Sequence, residues 1–95
     1  MPDPSISVTA PSPGATVGRP FTASGAYVSN SPFPSVSVVL KDSSGTVVAT
    51  GSPVTVGNNQ WSAPIAPTQA YTNASVYAEL VGEGANDSVG NITVT

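Results

Sequence analysis

Apolar and polar residues alternate one by one along most of this chain, and no window of a dozen residues carries a helical stripe. Ile6 and Val8 alternate with Ser5, Ser7 and Thr9, which predicts a first strand, ended by Pro11 and Pro13-Gly14. Val17 resumes a short edge segment. Phe21, Ala23, Gly25 and Tyr27 share one face of the next strand, with Thr22, Ser24 and Ala26 on the other. From Val28 to Pro34 the chain reads as a loop, because proline fixes φ and donates nothing to a β ladder.

The clearest strand is Ser35 to Lys41, with Val36, Val38 and Leu40 on one side and Ser35, Ser37, Val39 and Lys41 on the other. Asp42-Ser43-Ser44-Gly45 then predicts a type I turn, and Thr46 to Thr50 returns antiparallel. After the break at Gly51-Ser52-Pro53, Val54 to Val56 forms a short strand and Gly57-Asn58-Asn59 a tight turn. Trp61, Ala63 and Ile65 line one face of the strand Gln60 to Ile65, and Pro64 places that strand at an edge or near its end. Ala66 to Asn73 reads as a crossing loop. Val76, Ala78 and Leu80 form the next buried face, opposite Tyr77 and Glu79; a turn from Gly82 to Asp87 leads to a last strand carrying Ile92 and Val94. About seven or eight short strands with frequent turn signals predict an all-β antiparallel sandwich. One such domain fills residues 1–95, with no linker and no repeat.

Composition sharpens this picture by exclusion. Charged residues make up only 7% of the chain, and the polar positions are filled by Ser, Thr, Asn and Gln. Arg19 and Lys41 are the only basic residues, and the formal net charge is −3. Phosphate recognition depends on clustered Lys and Arg, so no nucleic-acid partner is expected. Nor is a membrane partner, since the chain has neither a basic amphipathic segment nor an apolar run of about 20 residues. Histidine and cysteine are both absent. That removes Ser-His-Asp and Cys-His catalysis, disulfides and His- or Cys-ligated zinc. The opening Met1-Pro2-Asp3-Pro4 has no basic segment followed by an apolar one, so no secretory signal is expected. A virion protein released by lysis and a domain taken from a longer secreted polypeptide both fit an extracellular-looking composition without such a signal.

The run Ile6-Ser-Val-Thr-Ala-Pro-Ser-Pro-Gly-Ala-Thr-Val17 resembles the opening of immunoglobulin-like domains in bacterial surface and spore-germination proteins. Val36-Ser-Val-Val-Leu-Lys-Asp-Ser-Ser-Gly45, with Val47 to Gly51 after it and Trp61 beyond the Gly-Asn-Asn turn, is similar to the same layout. The resemblance spans nearly the whole chain and implies an immunoglobulin-like sandwich with no shared catalytic residues. Similar domains decorate the heads and tails of tailed bacteriophages. The antibody Cys…Trp…Cys signature is absent.

Candidate chemistry is sparse. A glycosidase needs two facing carboxylates. Of the five present, Asp3 lies near the terminus, Asp42 is explained by its turn, and Glu79 is expected to face solvent. Glu83 and Asp87 share the loop Glu83-Gly-Ala-Asn-Asp87, whose oxygens could suit calcium, although a turn of this composition needs no metal. No catalysis, cofactor or metal is therefore expected. Asn73, Asn86 and Asn91 match the N-glycosylation pattern, which arises easily by chance in a chain so rich in Asn, Ser and Thr. Trp61 is expected in the core instead of on a sugar-stacking platform. Phe33, held between Pro32 and Pro34, either docks into a partner at low entropy cost or folds back over one end of the sandwich. Tyr71 sits in a loop of similar kind, and Tyr77 alternates away from the Val76 face. Phe33, Tyr71 and Tyr77 are thus the candidate interface residues.

These residues predict a structural or binding module. Its first expected role is a bacteriophage head decoration or cement protein in the virion, contacting capsid or neighbouring virion subunits and open to self-association. The alternative is a spacer or carbohydrate-binding module of a bacterial surface or adhesin protein.

Overall fold

The computed structural model describes residues 3–30 and 32–95. Met1 and Pro2 of the opening segment, and Ser31 of the expected loop, lie outside the described residues. Among the described residues nine strands run in chain order: β1 (Ser5–Ala10), β2 (Thr16–Val17), β3 (Phe21–Val28), β4 (Val36–Lys41), β5 (Val47–Thr50), β6 (Thr55–Gly57), β7 (Gln60–Ile65), β8 (Tyr71–Leu80) and β9 (Asn86–Val94). They form a four-stranded sheet, β1-β3-β7-β6, and a five-stranded sheet, β2-β9-β8-β4-β5. Every pairing is antiparallel except β2 with β9. The chain is an all-β sandwich, as its alternation predicts, and has the immunoglobulin-like architecture that the resemblance implies.

The alternate residues of each sheet meet in one core. Trp61, Ala63 and Ile65 of β7 and Ala23 of β3 face Val38 and Leu40 of β4 and Val76, Ala78 and Leu80 of β8, all essentially without solvent contact. Each large apolar side chain buried this way contributes about 1.5–3 kcal/mol. Trp61 belongs to this core, as expected, and its indole N–H donates to the Ser7 carbonyl at 3.1 Å. The indole reaches β1 by crossing Gly25 of β3. A Cβ there would run into the Ser7 carbonyl and stand 2.7 Å from the indole nitrogen. Only glycine fits beneath the ring.

The turns follow the chemistry of their residues. One Asp42 carboxylate oxygen accepts from the amides of Ser44 and Thr46 at 2.9 and 3.0 Å, while Gly45 takes φ +83°. Asn58 and Asn59 both lie in the left-handed region, at φ 53° and 62°, forming the mirror-image turn that suits a two-residue hairpin between β6 and β7.

Two local expectations need correction. Tyr71 to Asn73 is strand instead of loop, and β9 starts at Asn86, inside the expected turn. The cause is a pair of bulges. Between Tyr71 and Ala74 on β8 three steps oppose two on β9, from Val94 to Ile92; then from Ala74 to Val76 two steps oppose three, from Ile92 to Val89. Asn73 and Asn91 absorb the extra residues at φ 54° and 59°. Each bulge shifts the alternation by one, so Val89 and Ile92 are both buried although three residues apart. Pro64, expected at an edge or near the strand's end, is the penultimate residue of β7, a strand flanked by β3 and β6. Yet β6 pairs with β7 only as far as Ser62. Beyond it Pro64 needs no donor, and its carbonyl accepts from the Ser52 amide at 3.1 Å.

Candidate functional site

The loop 29–35 joins β3 to β4 at one pole of the sandwich, beside the turn 81–85 that joins β8 to β9. Phe33 projects from it, 88% exposed, so it does not fold back over the end of the core. Val81, in the adjoining turn, is 51% exposed. The two segments are fastened together. The Val81 amide donates to the Ser35 carbonyl at 2.9 Å. The Glu83 carboxylate accepts from the Ser29 hydroxyl at 2.6 Å through one oxygen and from the Asn30 amide at 2.9 Å through the other. Charge-assisted bonds of this kind are stronger than neutral ones, and two of them restrain the root of the loop that carries Phe33.

Asp87 does something else. Its carboxylate accepts from the Val8 amide at 2.9 Å, bridging from β9 to the outer edge of β1. Glu83 therefore serves a hydroxyl and an amide in the loop 29–35 and Asp87 an amide of β1, and the two carboxylates do not converge on a shared point. Among the described residues no group of three or more acidic, histidine or cysteine side chains is placed to hold a metal ion. The Glu83–Asp87 segment is explained as the end of the turn 81–85 and the first two residues of β9.

The structure places the three aromatic candidates apart. Tyr71 begins β8 at the pole opposite Phe33, half-buried against the core, with its hydroxyl accepting from the Gln69 side-chain amide at 3.1 Å. Tyr77 lies midway along β8 on the outer face of the five-stranded sheet, also half-buried. The Lys41 ammonium stands 4.4 Å from its ring centroid, a cation–π contact, and its hydroxyl donates to Glu79 at 3.4 Å. Partial burial raises the Tyr77 pKa above its ordinary value, with the charge of Glu79 and the hydrogen bond to it adding in the same direction. Sequence reasoning found these aromatics but not Val81, the Glu83 fastening or the Lys41–Tyr77–Glu79 arrangement, each of which depends on strand register.

The outer face of the four-stranded sheet holds a shallow groove of about 510 Å³. Thr9, Ser24, Ser62 and Thr55 cross its floor, one from each of β1, β3, β7 and β6: Ser24 pairs with Ser62, Ser62 with Thr55, and the Thr9 hydroxyl donates to the Ser24 carbonyl at 3.2 Å. Asn58 and Gln60 line one end.

A family model matches residues 5–80, that of Gmad2, the immunoglobulin-like domain of bacterial spore germination. The chain belongs to this family. Among solved structures, a chimeric titin tandem shares 16% identity and a TM-score of 0.48, covering 96% of this chain and 44% of that one. The IG27 protein domain shares 14% identity and a TM-score of 0.48 over 95% and 92% of the two chains. An I-band fragment of titin has 16% identity and a TM-score of 0.46, with 99% of this chain and 32% of that chain covered. The chain thus spans less than half the length of the two titin molecules. None of the curated proteins matches it.

For this Gmad2 domain, the family match supports the bacterial side of the resemblance seen in the sequence and does not extend to bacteriophage heads or tails. The matched residues run from the first residue of β1 to the last of β8, so they include the Phe33 loop and the whole groove floor but not the Glu83 turn or β9.

Proposed function

We propose that this Gmad2 domain is a non-catalytic spacer and contact module of a bacterial cell-surface protein. The observation that carries this reading is the placement of the two chain ends. Ser5 pairs with Val28 beside the Phe33 loop, whereas Thr95 donates to Val17 at the other end of the sandwich, near Tyr71. The molecule measures 41 Å along its longest axis and about half that across. A chain that enters at one pole and leaves at the other adds a rigid length to whatever it joins. The family match supports a bacterial setting. With neither histidine nor cysteine, and with Glu83 and Asp87 engaged in backbone and hydroxyl bonds, the domain acts by contact.

Phe33 is the principal contact anchor, because a large apolar side chain presented on a restrained loop loses little entropy on docking. Tyr71 and Tyr77 are secondary candidates, at the opposite pole and on the sheet face. The test is co-sedimentation of the purified domain with bacterial envelope fractions and, separately, with phage heads. Retention on envelopes, weakened by Phe33→Ser in a protein of unchanged circular dichroism, is the expected result. Retention on phage heads alone would replace this reading with capsid decoration, and retention on neither would end it.

A further inference from the structure

We infer that the groove on the outer face of the four-stranded sheet is a binding site for an uncharged glycan chain bearing hydroxyl and acetamido groups. This names a ligand class for the contact module proposed above and rests on that reading.

The chain has seven charged residues in all, and none of them lines the groove. The opposite sheet face, by contrast, carries Lys41 and Glu79 around Tyr77. Charges on exposed sheet faces and edges ordinarily guard against association between sheets. Here the face beside the short edge strand β6 lacks them. A charged ligand would lose hydration on entering this groove and gain no countercharge, so anions and cations are both disfavoured. An uncharged ligand rich in donors and acceptors matches what the groove offers.

The polar groups are arranged to read such a ligand. The hydroxyls of Thr9, Ser24, Ser62 and Thr55 form one rank across all four strands; that of Thr9 donates to the Ser24 carbonyl and offers a ligand its lone pairs, while the other three can both donate and accept. At strand spacing the rank spans about 14 Å, the scale of a short oligosaccharide. The Asn58 and Gln60 amides supply a donor and an acceptor apiece, the pair that an acetamido group needs. Thr9, at one end of the rank, lies where the β1–β3 register shifts, and Asn58 beside the rank sits in a hairpin turn with two successive left-handed residues. Short Ser and Thr side chains lose little rotamer freedom on binding. A volume of about 510 Å³ falls within the usual range for small-ligand clefts. A second copy of the chain is a poor occupant. Four strands of about six residues offer roughly 400 Å², half of what one partner contributes to a standard stable interface.

The experiment is a titration of the isotope-labelled full chain with a soluble N-acetylglucosamine oligomer, followed by amide chemical shifts, with an oligogalacturonate of similar length as the anionic counterpart. The expected shifts cluster on β1, β3, β6, β7 and the Asn58 turn, with the anionic oligomer binding at least tenfold more weakly. Ser62→Glu, which places a charge at the centre of the rank, and the milder Gln60→Ala should each weaken binding at least fivefold while amide spectra of the core stay unchanged. Absence of shifts at millimolar oligomer, equal binding of the anionic oligomer, or shifts confined to the Phe33 pole would overturn the inference. If Phe33→Ser still weakens envelope binding in that event, the contact module stands without this glycan site.

Discussion

The Tyr77 phenol lies between the ammonium of Lys41 over its ring and the carboxylate of Glu79 at its hydroxyl. The ammonium favours ionisation, whereas partial desolvation and the carboxylate oppose it; the opposing pair prevails, and the pKa rises from 10.0. In a spectrophotometric titration at 295 nm (roughly the phenolate band), one tyrosine should therefore ionise late, above its ordinary range. Glu79→Gln should bring that pKa back down without reaching the ordinary value, because desolvation persists. The sign for stability follows from proton linkage. A folded state that holds its proton more tightly than the unfolded chain is favoured below the unfolded pKa and loses that contribution as pH rises through the folded one. Chemical denaturation should accordingly show stability falling above pH 10.0, and falling less steeply in Glu79→Gln. An identical pH dependence in the two proteins would show that Glu79 does not set the phenol's environment.

At the scale of the strands, what the sequence reveals depends on whether alternation stays in phase. β3, β4 and β7 bury every second residue without interruption, and their faces can be read directly from Phe21-Ala23-Tyr27, Val36-Val38-Leu40 and Trp61-Ala63-Ile65. The paired bulges of β8 and β9 break that phase, which is why Tyr71 to Asn73 looks like loop and Val89 does not look like core. The hydroxyl rank of the groove is hidden for a different reason. Thr9, Ser24, Thr55 and Ser62 are ordinary outward positions until the strand order puts them side by side. Asn91 tests the bulge account. Its left-handed φ costs a β-branched residue about 1–2 kcal/mol, while glycine adopts it freely. Asn91→Val should lower the free energy of unfolding in urea by about that amount, and Asn91→Gly by only a few tenths of a kcal/mol. If Val were tolerated as well as Gly, the left-handed backbone would not be what holds the β8–β9 register.

For the whole molecule, the decisive property is the separation of its ends combined with the plainness of its flanks. Face-to-face packing of two copies would use either a charged face around Tyr77 or a neutral face of roughly 400 Å², too little for a stable pair. Each copy also carries a net charge of −3, which adds a weak mutual repulsion at low salt. Two copies joined from the C-terminus of one to the N-terminus of the next by a short stiff linker should therefore stay end to end. Small-angle scattering of such a tandem should give a maximum dimension near twice the 41 Å axis of one domain, little changed by salt. A spacer requires that length to persist. Were the tandem to scatter as a compact particle scarcely longer than one domain, the flanks would be associating after all. The groove face would then be a self-contact surface instead of a ligand site, and the domain would gather its neighbours instead of holding them apart.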